Sequence, residues 1–174
     1  MAFSDPRTNV MRFGITEGMC IADFGSGSGH YTRAAAEAVG DSGKVYAIDI
    51  QRALLNNVKD ISRPTRKNIE VLWGNVEKPR GSKLSNASVD GVIIANALFQ
   101  FEDRNAALVE AYRVLKPKGR LFLVDWSDSF GGIGPQQEDL ESAGVARTRA
   151  EETGFSFIRN IEAGEHHYGL IFRK

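Results

Sequence analysis

The chain has 174 residues and no net charge, because 22 lysine and arginine residues balance 22 aspartate and glutamate residues. Its hydrophobic fraction of 42% and charged fraction of 25% are typical of a folded globular protein and argue against disorder, and the charge balance gives no overall field that would attract nucleic acid or an anionic membrane. Glycine is in excess, since 18 of 174 residues is about 10% against a usual frequency near 7%. The length predicts one domain over residues 1–174.

The N-terminal residues and the cysteine content favour a cytoplasmic location. The stretch MAFSDPRTNV lacks the apolar core of a secretory signal, and no apolar run is long enough to span a bilayer. The only cysteine, Cys20, cannot form an internal disulfide and lies in an apolar run, so we expect a small buried residue. His166 and His167 are adjacent in a predicted strand and should point to opposite faces. We therefore predict no membrane contact and no metal site.

Strand-like and helix-like segments alternate over the first 126 residues. Apolar runs rich in β-formers predict strands at 19–24, 44–50, 69–73, 89–95 and 120–126. Helices are predicted at 30–39 and 51–62, and a third from the helical spacing between Leu108 and Leu115, which Pro117 and Gly119 should stop. Continuous apolar runs separated by helices indicate a parallel sheet covered on both faces.

Two further β-like runs, 155–163 and 166–173, end the sequence. Only Gly164 and Glu165 separate them, which is too short for a helical crossover, so we expect an antiparallel hairpin. The predicted fold is α/β, a Rossmann-like doubly wound sheet of seven strands, mostly parallel with an antiparallel C-terminal hairpin strand. Residues 1–18 form a short N-terminal segment. The segment 127–144, with Gly131, Gly132 and Gly134, is expected to be mobile.

Three glycines at alternate positions join the first predicted strand to the first predicted helix, in the stretch DFGSGSG at 23–29. Glycine lets a ligand touch the backbone, and a helix start offers free N–H groups to an anion. In open parallel sheets ligands bind outside the carboxyl ends of the strands, where this loop lies. The alternative is a tight turn that needs glycine only for its backbone angles, although three spaced glycines exceed that requirement.

The residues after the loop narrow the choice of ligand. His30 and Tyr31 stand where a P-loop needs lysine and serine or threonine, which excludes that phosphate site. His30 also occupies the third glycine position of the dinucleotide fingerprint, which counts against NAD without excluding it. Asp49 ends the second strand, well placed to accept hydrogen bonds from ribose hydroxyls, although a lone acid there is often a helix cap. Loop and acid together predict a nucleoside site.

Five segments in order resemble the class I S-adenosylmethionine-dependent methyltransferases. IADFGSGSG is similar to the first motif of that family and VYAIDI to its second-strand motif, which ends in the ribose-binding acid. VDGVIIANALFQFED resembles the strand-four motif, RVLKPKGRLFLVDW the approach to strand five, and HYGLIFRK the reversed seventh strand. Small UbiE-like methyltransferases of quinone biosynthesis are most similar, while GSGSGHYT also resembles protein isoaspartyl methyltransferases. The resemblance implies S-adenosylmethionine as cofactor and methyl transfer as activity.

The resemblance also implies roles for single residues. The glycine loop would pack against the methionyl part of the cofactor, Asp49 would hold the ribose, and Asn75, an aspartate in many relatives, would accept from the adenine amino group through its amide oxygen. The expected cofactor-binding residues are Asp23, Gly25, Ser26, Gly27, Gly29, Asp49, Ile50, Asn75, Val76, Asn96 and Ala97. The expected acceptor pocket consists of Phe99, Gln100, Asp125 and Trp126.

No catalytic side chain is assigned. Methyl transfer from a sulfonium is an in-line displacement whose thioether leaving group needs no proton, so alignment and exclusion of water are the main tasks. We expect a small-molecule acceptor in an open site, with a macromolecular acceptor or a protein partner that completes the pocket as alternatives. Two other functions stay open: an S-adenosylmethionine-binding partner or regulatory protein with little catalysis, and an NAD-dependent Rossmann oxidoreductase.

Overall fold

A computed structural model describes residues 4–62, 67–130, 132 and 134–174. The elements of these residues are, in chain order, α1 (Pro6–Phe13), β1 (Cys20–Phe24), α2 (His30–Val39), β2 (Lys44–Asp49), α3 (Arg52–Ser62), β3 (Ile69–Trp73), β4 (Val89–Ala95), a 3₁₀ turn (Leu98–Gln100), α4 (Arg104–Val114), β5 (Leu115–Trp126), α5 (Ala143–Thr153), β6 (Ser156–Glu162) and β7 (His167–Arg173). None of the helices in these ranges is long and apolar enough to cross a membrane.

The strands of the described residues form one sheet in the order β3-β2-β1-β4-β5-β7-β6. Strands β1 to β5 pair in parallel, and β7 runs antiparallel between β5 and β6. This arrangement confirms the predicted sheet and its C-terminal hairpin. The strand order reverses between β1 and β4, so the crevice outside the carboxyl ends of these two strands is where a ligand is expected.

Two apolar layers cover the sheet. One contains Phe24 and Leu121 and packs against α4 and α5, and the other contains Ile21 and Phe122 and packs against α1 and α2. Neighbouring residues of a strand point to opposite faces, which explains why Leu121 and Phe122 belong to different layers. Burial of a side chain such as Phe122 contributes roughly 2–3 kcal/mol, so both layers hold the strand ends in fixed positions.

The boundary between α4 and β5 differs from the prediction. Helix α4 ends at Val114, and Leu115 already pairs with Val89 in the sheet, five residues before the predicted strand start at Arg120. The register then shifts between Val89 and Gly91, and Lys118 adopts a φ of 67°. The predicted helix end and strand start are therefore both wrong, because sheet pairing of the buried Leu115 overrides its helical spacing.

Helices α1 and α5 were not predicted. The carboxylate of Asp5 accepts the N–H of Thr8 at the start of α1, and Gly14 ends that helix with a φ of 72°. The hydroxyl of Ser142 accepts from Val145 at the start of α5. Both starts are ordinary helix caps. The segment 1–18 thus contains a helix, whereas α5 only begins at the end of 127–144 and lies mostly beyond it.

The mobility expected for 127–144 stays a prediction. Gly132 and Gly134 have φ values of 77° and 91°, and Gly131 lies outside the described residues. At the end of the segment, Glu141 accepts hydrogen bonds from Arg104 and Arg149. That end of the segment is therefore tied to α4 and α5.

Candidate functional site

The loop between β1 and α2 has three glycines in the left-handed region, Gly25, Gly27 and Gly29, with φ values of 72°, 52° and 79°. The turn alone therefore favours glycine at each position. A Cβ at Gly25 would lie 2.7 Å from the Cβ of Ala97, and one at Gly29 would lie 2.8 Å from Cγ2 of Val58. A Cβ at Gly27 would meet no atom within 4 Å. The backbone at Gly27 thus faces open space, where a ligand can contact it.

Asp49 ends β2 and holds this loop. Its side chain is buried, with the residue 8% exposed. Oδ2 accepts the N–H of Gly27 at 2.9 Å, and Oδ1 accepts the N–H of Gln51 at 2.8 Å. A carboxylate has about four lone-pair positions, so roughly two remain for the hydroxyls of a nucleoside. The carboxylate thus accepts a hydrogen bond from the backbone just before α3, and it also faces a cavity beside the loop.

A first cavity of about 190 Å³ lies on one side of the loop. Its walls include the apolar side chains of Ile48, Leu54 and Phe101, which suit a planar base and which the sequence did not single out. Of the predicted site residues it brings together Gly25, Gly27, Asp49, Ile50, Asn75, Val76, Ala97 and Gln100. The acidic residues Asp49 and Glu77 also line it. Apolar walls with a few polar groups are the pattern expected for a small-molecule site, and here they suit an adenosine.

A second cavity of about 380 Å³ lies on the other side of the same loop. Gly25, Gly27 and Gln100 line both cavities, so the two are neighbours. The predicted residues Asp23, Ser26 and Asn96 line it. Sequence reasoning did not assign its remaining lining residues, which are Ser4, Pro6, Ser28, His30, Tyr31 and Ala95. Gly29 lines neither cavity; its Cβ position faces Val58 on α3.

Asp23 places a buried carboxyl at the second cavity. The residue is 2% exposed, and Oδ2 accepts the hydroxyl of Thr32 at 2.6 Å. Burial raises its pKa to about 7, the hydrogen bond from Thr32 opposes that shift, and the negative charge of Asp49 adds to it. A cation in the cavity would favour the charged carboxylate, so the position suits an ammonium group.

Asn75 follows β3 and closes a tight turn. Its Oδ1 accepts the N–H of Glu77 at 2.9 Å. A Cβ at Gly81 would clash with the carbonyl oxygen of Asn75, which explains the glycine there. The amide oxygen expected to face adenine is thus already used once by the backbone, and its second lone pair remains.

Asn96 follows β4 in a left-handed conformation, with a φ of 53°. Its N–H donates to the carbonyl of Val124, and its own carbonyl accepts Nε2 of Gln100 at 2.8 Å. The buried Oδ1 of Asn96 and the buried Oγ of Ser26 have no hydrogen-bond partner in the described part of the chain. Strain and unpaired polar atoms in one place are typical of a ligand site.

Of the expected acceptor-pocket residues, the structure places Gln100 in both cavities and Phe99, Asp125 and Trp126 outside the two. Asp125 accepts the N–H groups of Trp126 at 2.8 Å and Phe99 at 3.3 Å. Its burial raises its pKa to about 6, against the lowering effect of these bonds. Asp125 therefore joins the 3₁₀ turn to β5, and the role of all four residues in an acceptor pocket stays a prediction.

The residues present fit a nucleoside that carries an amino acid. The first cavity offers apolar walls and Asp49, and the second offers Asp23 beside open backbone at Gly27. Within the described ranges, no group of three or more histidine, cysteine, aspartate and glutamate residues is placed to hold a metal ion. The lining of the two cavities fits an organic cofactor of the type expected from the sequence.

Comparison with known proteins shows which protein family the chain is similar to. A family model described as a methyltransferase domain matches residues 22–123. A demethylmenaquinone methyltransferase of Lactococcus lactis is 35% identical over 119 residues, which cover 68% of this chain and 46% of that protein. A ubiquinone/menaquinone biosynthesis C-methyltransferase UbiE of Legionella pneumophila is 32% identical over 124 residues, 70% of this chain and 48% of that protein. The chain thus spans about half the length of the curated relatives it matches.

A solved structure from Aquifex aeolicus, described as an S-adenosylmethionine-dependent methyltransferase, matches over most of both chains. It has a TM-score of 0.89 and 30% sequence identity, and the match covers 98% of this chain and 90% of that one. The likeness confirms the fold expected from the sequence. With the family model it indicates S-adenosylmethionine as the cofactor.

Proposed function

The chain belongs to the class I S-adenosylmethionine-dependent methyltransferases, and from this premise we propose that it transfers the methyl group of S-adenosylmethionine to a small-molecule acceptor. The observation that carries the proposal is the pair of cavities on either side of one glycine loop, with Asp49 at the first and Asp23 at the second. A nucleoside and an amino acid joined through sulfur need two such neighbouring sites. We further propose that residues 1–174 act as a single domain, and a cytoplasmic location stays a prediction.

Each part of the proposed reaction assigns a task to residues of the chain. The bound cofactor supplies an activated methyl group on a sulfonium. Asp49 holds the nucleoside, and Asp23, beside the open backbone at Gly27, offers a negative charge to the ammonium. Gln100 and Asn96 are joined by a hydrogen bond beside the loop, where they fix one wall of the second cavity. Positioning and exclusion of water are the main requirements of the in-line displacement, because its thioether leaving group takes up no proton. A protonated acceptor such as a quinol also releases one proton, to water or to a neighbouring base, as its bond to the methyl carbon forms.

The acceptor proposal is supported by the relatives. One curated relative is named a demethylmenaquinone methyltransferase and the other a ubiquinone/menaquinone biosynthesis C-methyltransferase, which makes a demethylated quinone the first compound to test. A macromolecular acceptor, a protein that completes the site and a regulatory protein with little catalysis are the competing outcomes. The family match leaves the NAD-dependent oxidoreductase without support.

Binding is tested by calorimetric titration with S-adenosylhomocysteine and, separately, with NAD. We expect S-adenosylhomocysteine to bind and NAD not to bind. Replacing Asp49 by alanine should weaken binding by about 1–3 kcal/mol, because two hydrogen bonds from ribose hydroxyls are lost. Asp41→Ala, at an exposed position before β2, is the matched control. Unchanged affinity in Asp49→Ala would remove Asp49 from the site.

Turnover is tested by mass spectrometry of S-adenosylhomocysteine formed from S-adenosylmethionine. Reduced demethylmenaquinone, a small-molecule extract fraction and a macromolecular fraction are compared as acceptors. Product with a small-molecule fraction supports the proposal, and product with the macromolecular fraction alone contradicts it. Cofactor binding without turnover in any fraction would indicate the regulatory protein instead.

A further inference from the structure

Three side chains form a hydrogen-bonded group at the wall of the second cavity, and we call Ser4, Asn9 and Tyr31 the hydroxyl cluster. Ser4 Oγ and the hydroxyl oxygen of Tyr31 are 2.7 Å apart. Nδ2 of Asn9 lies 2.8 Å from the first oxygen and 2.9 Å from the second. Ser4 and Tyr31 both line the cavity, while Asn9 lies behind them and is only 1% exposed. The cluster joins α1 to α2 at the site.

Asn9 can only donate to the two hydroxyl oxygens. Its Nδ2 lies 3.0 Å from the carbonyl oxygen of Ala163. A carbonyl oxygen only accepts hydrogen bonds, so this contact assigns the amide nitrogen to that side. One amide hydrogen serves Ala163, and the other is left for Ser4 and Tyr31. Asn9 therefore takes up no hydroxyl hydrogen through these contacts.

Of the two hydroxyl hydrogens in the cluster, one has no acceptor within it. Ser4 and Tyr31 carry one hydroxyl hydrogen each, and only one of the two can lie between their oxygens. Among the described residues no acceptor is recorded for the other. Burial raises the pKa of the Tyr31 hydroxyl, so Tyr31 keeps its proton near neutral pH. The cluster thus has one free donor beside the cavity.

The charge of the cavity wall identifies the group that this donor would meet. Within the described ranges, the lining of the second cavity contains no lysine or arginine, so an anionic oxygen there would meet hydroxyl, amide and backbone N–H donors and the imidazole of His30. Asp23 lines the same cavity and suits an ammonium. A carboxylate and an ammonium side by side are the polar groups of an α-amino acid. Charged acceptors gain most from such a donor.

We propose that the hydroxyls of Ser4 and Tyr31, oriented by Asn9, together donate one hydrogen bond to the carboxylate in the methionyl part of the cofactor. The inference rests on the proposed function, because it needs S-adenosylmethionine as ligand. It adds the residues of α1 and its preceding turn to a site otherwise built by the glycine loop and the strand ends. The donor is shared, since either hydroxyl can supply the free hydrogen while the other lies between the oxygens.

Because either hydroxyl can supply the free hydrogen, the losses of ligand affinity in the two single variants should not add up to the loss in the double variant. In Ser4→Ala or Tyr31→Phe one hydroxyl remains, and its hydrogen is then free to donate. We expect each single variant to lose less than about threefold in affinity for S-adenosylhomocysteine, and the double variant about tenfold or more. 5′-Methylthioadenosine, which lacks the amino acid, should bind all variants within about twofold. Tyr112→Phe, a tyrosine on α4 that lines neither cavity, is the matched control.

The use of two ligands keeps the test valid if a variant is less stable, because 5′-methylthioadenosine reports the state of the adenosine site in the same protein. An equal loss for both ligands would show a structural role and overturn the proposal. Unchanged affinity of the double variant for S-adenosylhomocysteine, or large additive losses in the single variants, would also overturn it. If the unmodified protein binds no S-adenosylhomocysteine, the proposed function itself fails.

Discussion

Replacing Asp23 by asparagine is expected to stabilise the protein above pH 7 and to leave its stability unchanged or lower near pH 4. Asp23 is almost fully buried, and this burial raises its pKa to about 7. An unfolded aspartate has a pKa near 3.9. Because the folded state binds the proton more tightly, the favourable contribution of this carboxyl is complete below about pH 4 and is lost as the pH rises through about 7.

The size of the effect follows from the pKa difference. A rise from 3.8 to about 7 is roughly three units, and one unit corresponds to about 1.4 kcal/mol, which gives an upper limit of roughly 4 kcal/mol. The amide oxygen of an asparagine can still accept from the hydroxyl of Thr32, but its NH₂ group is a new buried donor that costs about 1–3 kcal/mol. We therefore expect a net gain of about 1–3 kcal/mol at pH 8.

Urea unfolding at pH 4.5, 6 and 8 measures this gain. The difference between Asp23→Asn and the unmodified protein should lie between about zero and −2 kcal/mol at pH 4.5 and should increase with pH. Asp41→Asn, at an exposed aspartate, is the control and should change the free energy of unfolding by less than about 0.5 kcal/mol at each pH. A difference that does not vary with pH, or that is largest in acid, would refute the reasoning.

Three further substitutions test side-chain packing, backbone strain and a buried ion pair. Gly29→Ala should lower the free energy of unfolding by about 2 kcal/mol, because its Cβ would lie 2.8 Å from Cγ2 of Val58 at a φ of 79°. Gly27→Ala should lower the free energy of unfolding by only about 1 kcal/mol, through backbone strain, yet weaken S-adenosylhomocysteine binding more than Gly29→Ala does. A larger loss of stability in Gly27→Ala than in Gly29→Ala, measured by urea unfolding, would contradict the positions assigned to the two glycines. Glu141→Gln should lower stability by about 2–3 kcal/mol, because this buried carboxylate lies 2.8 Å from Arg104; a loss below about 0.5 kcal/mol would show that the ion pair contributes little.

The parts of the site that could be predicted from the sequence are those set by local backbone requirements. Three glycines in a strand-to-helix turn, followed by Asp49 at the next strand end, specify a loop and a carboxylate that must meet, because β1 and β2 are neighbours in the sheet. The residues that cap α1, Asp5 and Gly14, are equally local signals. Helix α1 could have been predicted from them as well.

The parts that could not be predicted depend on residues far apart in the chain. Ser4 and Tyr31 are 27 positions apart, and no spacing rule joins an N-terminal serine to the second residue of a helix. The pKa of Asp125 depends on how deeply the strand end is buried, which its neighbours in the sequence do not report. For Leu115 a local signal gave a wrong prediction. Its spacing from Leu108 and Ala111 is helical, but pairing with Val89 in the sheet decides its conformation.

The hydrogen bond from Asn9 to Ala163 also shows which parts of the chain the site depends on. It spans 154 positions, and α1 makes a second contact of this range, from the side chain of Arg12 to the carbonyl of Glu162. Asn9 thus links the wall formed by Ser4 and Tyr31 to the end of the chain. The residues that line the first cavity all lie between Gly25 and Phe101. The amino-acid half of the site therefore depends on the C-terminal hairpin, and the lining of the adenosine half contains none of its residues.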